Sequence, residues 1–171
     1  MLHATCYMLH NLCYNKIMNK IYKFIISLLI CLGAGGIGSL FNISAIPTWY
    51  ATINKASFNP PNWAFAPAWT ILFILMAIAL YLVWSSKAKN IKNAMIIFSI
   101  QLVLNILWSA IFFGLKSPAL AFAEIIILWI AIFVNIIYFY RVNKTAGYLL
   151  IPYLIWVTFA SSLNYYAWIL N

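Results

Sequence analysis

Residues Phe58–Thr70 read FNPPNWAFAPAWT, and the chain continues without a charge through ILFILMAIALYLVW to Trp84. Three prolines and two tryptophans crowd the start of a long apolar run. Inside a helix a proline removes a backbone donor and clashes with the preceding turn. At a first turn that donor has no partner anyway, so the proline costs little. The stretch therefore reads as a corner. Pro60 and Pro61 stop a loop, Asn62 is placed to cap a helix, and Pro67 falls near the first turn. From Trp63 to Trp84 the segment has the roughly 20 apolar residues needed to cross a bilayer.

Four more runs have this character: about Phe24–Phe41, Ala94–Phe113, Pro118–Tyr140 and Gly147–Leu170. Backbone groups in lipid must be satisfied internally, so each is read as a helix. The expected fold is all-α, a polytopic membrane protein built as a five-transmembrane-helix bundle over residues 18–171. Composition agrees. Of 171 residues, 67% are hydrophobic and 6% charged, with ten Lys+Arg against one Asp+Glu, whereas a soluble domain carries about 25% charged residues. The basic residues are scattered singly between apolar runs, which argues against nucleic acid and for topology signals. Lys16, Lys20, Lys23, Lys87, Lys89, Lys92, Arg141 and Lys144 fall on one side of a five-span chain, and Lys55 and Lys116 on the other. This places the N-terminus in the cytoplasm and the C-terminus and long first loop outside. The first span is read as retained, because no small-x-small cleavage site follows it.

Residues 1–17 read as a disordered tail or start-site extension. They contain an approximate repeat, LHATCYM and LHNLCYN, that brings His3, Cys6, His10 and Cys13 three and four residues apart. The usual spacing of a structural zinc site is missing, so no metal is expected. Soluble-enzyme motifs are missing too. Glu124 is the one acidic residue, which leaves no carboxylate pair and no Ser-His-Asp set. GAGGIG lies in an apolar run with no strand before it and is not a phosphate loop. Its small residues, Ala34 with Gly38 and Gly35 with Ser39, read as a close-packing helix face.

Chemistry is left to aromatic, amide and hydroxyl groups on helix faces. Gln101, Asn105, Trp108 and Phe112 share one face by spacing, as do Trp156, Ala160 and Asn164, with Tyr153 beside them. Glu124 and Asn135 lie close to three turns apart. Amides in lipid commonly tie helices together, and a protonated Glu124 bonded to a neighbouring helix is the expected state. Trp63, Trp84 and Trp168 fall near span ends, where indoles prefer the interface. Trp69, Trp108, Trp129 and Trp156 fall deeper, where they either find partners in neighbouring helices or line a pocket for a flat apolar ligand.

WYATINKASFNPPNWAFAPAWTILF, QLVLNILWSAIFFG and AGYLLIPYLIWVTFASSLNYYAWILN, in that order and after GAGGIG, resemble the TspO/translocator protein family, the tryptophan-rich sensory proteins or peripheral-type benzodiazepine receptors. The resemblance covers about Met18–Asn171. It stops at the animal sterol motif, because LNYYAWILN has no basic residue after its tyrosines. It implies a five-helix, commonly dimeric bundle in a membrane, here a bacterial cell membrane, with a pocket that opens toward the first loop. It implies binding of protoporphyrin IX or a related tetrapyrrole and of apolar drug-like ligands, with no obligatory cofactor. Carried onto this chain, the pocket positions are Trp49, Tyr50, Pro60, Phe65, Trp69, Phe73, Asn105, Trp108, Phe112, Trp156 and Ala160. The proline corner would then hold the loop over the bundle mouth. Three functions follow as expectations: a porphyrin receptor or transporter, a light-dependent porphyrin-degrading enzyme using Trp69 and Trp156, or a structural protein whose pocket holds membrane lipid.

Overall fold

The computed structural model describes the backbone of residues 2–171 and the side chains of residues 18–171. The reading of residues 1–17 as an extension, and the His3, Cys6, His10 and Cys13 pattern within it, concern side chains outside the described residues. The described residues are mostly helical: α1 (Leu2–Ala45), α2 (Trp49–Thr52), α3 (Phe65–Trp84), α4 (Ile91–Ser109), α5 (Pro118–Val142), α6 (Lys144–Leu149) and α7 (Ile151–Ile169). Five stretches are long and apolar enough to cross a membrane: Met18–Ala45, Asn62–Trp84, Ile91–Gly114, Pro118–Val142 and Lys144–Ile169. The protein is an integral membrane helical bundle.

The proline corner differs in one detail from the sequence expectation. Asn62 does not cap α3 with its side chain. Asn62–Ala64 form a 3-10 turn that leads into the helix, with Ala64 N donating to Pro61 O at 2.9 Å and Phe65 N donating to Asn62 O. The tighter turn meets the early donors with backbone carbonyls, so no side-chain cap is needed. Pro67 is the third residue of α3, where its missing N–H is harmless.

Two spans have internal breaks with local causes. α4 widens after Ser109 into a π turn, Ala110–Gly114, closed by Leu115 N donating to Ala110 O at 2.9 Å. Lys116 then adopts a left-handed φ of 53° and reverses the chain into α5. The last span divides at Leu150, because Pro152 in the first turn of α7 cannot donate back along the helix. α6 is capped by Asn143, whose Oδ1 accepts from Ala146 N at 3.1 Å. Gly147 is needed at that corner, since a Cβ there would lie 2.7 Å from Tyr140 Cβ and 2.8 Å from its Cα.

The core is lean and the lipid face is greasy. Ala77, Ala79, Ala94, Ala121 and Ala146 are fully buried, beside Met76, Phe98, Ile132, Phe139 and Tyr153. Phe98 and Phe139 stack at 5.4 Å and join α4 to α5. Leu29, Leu40, Val103 and Ile155 project outward, each more than 60% exposed, as lipid-facing residues should. The small residues of α1 pack within the bundle. A Cβ on Gly35 would meet the Phe73 ring at 2.6 Å, and one on Gly38 would meet Ser109 Oγ at 3.3 Å. At the opposite end, Lys23 Nζ donates to Trp84 O at 3.3 Å, which places a cation on the carboxyl end of α3.

A tryptophan-walled candidate ligand site

The close approach of α1 to α3 and α4 does not continue to the top of the bundle. There the helices part around a cavity of about 450 Å³, roofed by the loop between α1 and α3. Trp69 and Phe73 reach it from α3, four residues apart and so on one helix face. Asn105, Trp108 and Phe112 reach it from α4 and the π turn, and Trp156 and Ala160 from α7. Phe65 enters from the start of α3 and Tyr50 from α2.

Trp69 is the meeting point of the aromatic walls. Its ring lies 6.3 Å from Trp108 and nearly parallel to it, at 29°. It stands edge-on to Trp156 at 6.4 Å and 86° and edge-on to Tyr153 at 6.3 Å. Trp108 stacks in turn on Phe112 at 5.3 Å and 24°, and Phe65 stands edge-on to Trp156 at 6.2 Å. Contacts of this kind contribute about 0.5–1.5 kcal/mol each beyond area burial, enough to set the ring orientations. Ala160, 7% exposed, leaves open the space one turn beyond Trp156.

Two amides at the cavity, Asn105 and Asn164, are used within the bundle. Asn105 Nδ2 donates to the Tyr153 hydroxyl at 2.8 Å. Trp108 Nε1 donates to Asn164 Oδ1 at 3.0 Å, and Asn164 Nδ2 donates to Pro118 O at 2.7 Å. These bonds join α4, α7 and the start of α5 and hold the walls apart at a fixed distance. Trp156 also lines the cavity, and its Nε1 is buried without a partner among the described residues. Trp129 takes the other course open to a deep indole: its Nε1 donates to Thr158 Oγ1 at 2.8 Å, away from the cavity.

Of the positions carried over by resemblance, Trp49 and Pro60 do not line the cavity, and the others do. Trp49 braces the wall from behind, edge-on to Phe112 at 5.5 Å. The Pro60 carbonyl accepts from Asn59 Nδ2 at 2.9 Å and shapes the loop. Gly35, Gly38, Lys55, Asn59, Thr70, Ser109 and Asn164 also line the space and were not among those positions. Asn164 was within reach of the spacing argument, being four residues beyond Ala160. Lys55 and Asn59 were not, because a loop has no periodicity to read. Tyr50 is buried in that loop, and its hydroxyl donates to Asn59 Oδ1 at 3.0 Å. Burial raises its phenol pKa above the usual value. Gln101, Glu124 and Asn135 are buried elsewhere in the bundle. Glu124 is 6% exposed, and neither carboxyl oxygen has a hydrogen-bond partner among the described residues. The expected bond to a neighbouring helix is absent.

Comparison with known proteins points to one family. The model of the TspO/MBR family matches residues 27–169. The tryptophan-rich protein TspO of Archaeoglobus fulgidus is 44% identical over 152 residues, covering 89% of this chain and 99% of that protein. The tryptophan-rich sensory protein of Cereibacter sphaeroides is 38% identical, over 72% of this chain and 77% of its own length. The human translocator protein is 33% identical, over 77% of this chain and 80% of its own. With the family model spanning most of the chain and the shared stretches including the cavity walls, this protein belongs to the TspO/MBR family.

Proposed function

We propose that the protein is a membrane receptor or transporter that binds flat apolar ligands, tetrapyrroles such as protoporphyrin IX among them, in the tryptophan-walled cavity. The observation that carries this reading is the convergence of Trp69, Trp108 and Trp156 on one space of about 450 Å³. A cavity of that size lies in the range of ligand sites, roughly 300–1,000 Å³. Its walls offer ring faces, and the Asn105 and Asn164 amides are already engaged with Tyr153 and Trp108. The test is titration of purified protein with protoporphyrin IX, followed by tryptophan quenching. Quenching that saturates at one ligand per chain is expected. Unquenched tryptophans would favour a lipid-filled structural protein.

Light-dependent breakdown of bound porphyrin is the second reading, favoured by the contact between Trp69 and Trp156 at 6.4 Å and the unpartnered Trp156 Nε1. Adjacent indoles can pass an electron hole between them. Products identified after lit and dark incubation separate turnover from binding.

The same reading places the N-terminus in the cytoplasm and the C-terminus outside, from the positions of Lys20, Lys23, Lys87, Lys89, Lys92, Arg141 and Lys144, and takes the working unit as a homodimer in a cell membrane. Reporter fusions in the 85–92 and 141–144 connections should report the cytoplasmic side. Cross-linking in native membranes should trap a dimer.

A further inference from the structure

Lys55 differs in kind from its neighbours. Among the described residues that line the cavity it alone carries a charge, and none of the others is acidic. It comes from the roof loop, so its ammonium stands at the mouth while the indoles lie below. Two sets of contacts fix it there. Its Nζ sits 4.8 Å from the centroid of the Tyr50 ring, and Tyr50 is itself buried and bonded to Asn59. The preceding residue, Asn54, is tied to the end of α7 through its N, Nδ2 and O atoms. The backbone that carries the ammonium is thus anchored 117 positions away in sequence.

A ring face attracts an ammonium but does not use up its three donors. A cation held at the rim of an apolar cavity is best matched by an anion that the ligand supplies. We propose that Lys55 recognises an oxyanion on the ligand, so that the preferred ligands are flat aromatic acids. The ring system goes in among Trp69, Trp108 and Trp156, and the carboxylate stays at the mouth on Lys55. This rests on the reading of the cavity as a site for flat apolar ligands and adds the chemistry of the ligand's outer end.

The experiment compares matched acid and ester pairs in lipid-free maltoside micelles, where the oxyanion can come from the ligand alone. One pair is protoporphyrin IX and its dimethyl ester. The other is 1-pyrenebutyrate and its methyl ester. Lys55→Gln should weaken both acids about three- to tenfold, the effect of losing one partly exposed charge-assisted contact, and should leave the esters within about twofold. Lys55→Arg should keep the preference for acid, and added salt should narrow it in the unsubstituted protein. An unshifted thermal transition in Lys55→Gln confirms that the loop change leaves the bundle folded. Equal losses for acid and ester, or an unchanged affinity for both acids, would overturn the proposal. A loss seen only after phosphatidylglycerol is added, and equal for acid and ester, would assign the lysine to a lipid phosphate and also overturn it. If the pyrene pair shows the preference and neither porphyrin binds, the tetrapyrrole reading fails while the acid site stands. If neither pair binds, both fail.

Discussion

Asn54 and Asn171 hold each other across 117 positions of sequence. Asn54 N donates to Asn171 Oδ1 at 2.9 Å, and Asn171 Nδ2 donates back to Asn54 O at 3.0 Å. Asn54 Nδ2 adds a bond to Leu170 O at 3.1 Å. The roof loop is therefore latched to the end of α7, the helix that supplies Trp156 and Ala160. Asn171→Ala removes two of these bonds, which are exposed and contribute about 0.5 kcal/mol each, the low end of the usual range. Ligand association and dissociation should both accelerate, with a smaller change in equilibrium affinity. Stopped-flow tryptophan quenching measures both rates. Unaltered rates would show that the loop does not limit entry.

Gly35 and Gly33 lie on one helix and should respond differently to the same substitution. A Cβ at Gly35 would press on the Phe73 ring at 2.6 Å, whereas one at Gly33 would meet nothing within 4 Å. Gly35→Ala should destabilise the protein by about 1–3 kcal/mol, the usual range for overpacking, and should disturb the cavity through Phe73. Gly33→Ala should be close to neutral. Thermal unfolding in detergent, run side by side, decides this. Equal transitions for the two variants would mean that α1 is free to move away from α3.

Ala160 tests whether the open space beside Trp156 is where ligand sits. Ala160→Phe puts a ring into the cavity from a position already on its wall. Porphyrin affinity should fall by about tenfold or more, roughly 1.4 kcal/mol, while the unfolding temperature changes little. A normal titration with Ala160→Phe would place the ligand elsewhere.

Trp156 and Trp69 separate binding from chemistry. Trp156→Phe keeps most of the aromatic contact with Phe65 and Trp69 but loses the unpartnered N–H. If the protein only binds, the cost should be about 0.5–1.5 kcal/mol of affinity. If it breaks porphyrin down in light, product formation should fall far more than binding. Equal product yields from wild type and the Trp69→Phe/Trp156→Phe pair would remove the enzymatic reading.

Asn164 links Trp108 to the Pro118 carbonyl. Asn164→Leu leaves a half-buried indole donor and a half-buried carbonyl without the Asn164 amide, at about 0.5–1.5 kcal/mol for each bond lost. The variant should unfold at lower temperature and bind porphyrin more weakly, because Trp108 loses its fixed plane. Asn164→Gln, which keeps both groups on a longer arm, should recover part of each loss. Identical behaviour of the Leu and Gln variants would count against the hydrogen-bond account.

The five spans were legible from composition because a bilayer imposes a length and an apolarity on every helix that crosses it. The faces were legible too. Asn105 with Trp108 and Phe112, and Trp156 with Ala160, keep helical spacing, and helical spacing fixes which side chains share a side; Trp69 with Phe73 came from the family resemblance. The proline corner before Trp63 could be read, except for its cap, where a 3-10 turn took over the role given to Asn62. What spacing cannot give is depth or distance between helices. That Asn105 would bond Tyr153, that Trp108 would bond Asn164 while Trp129 turned to Thr158, and that Glu124 would find no partner among the described residues all depend on how far each helix slides and turns against the next. The roof is the extreme case. Asn54, Lys55 and Asn59 lie in a loop with no period, and their positions come from Tyr50 beneath and Asn171 at the far end of the chain. Local sequence therefore determined the helices and the faces they present. Only long-range packing, which sets the gap between α1, α3, α4 and α7 and latches the loop across it, decided that those faces enclose a cavity with Lys55 in its lining.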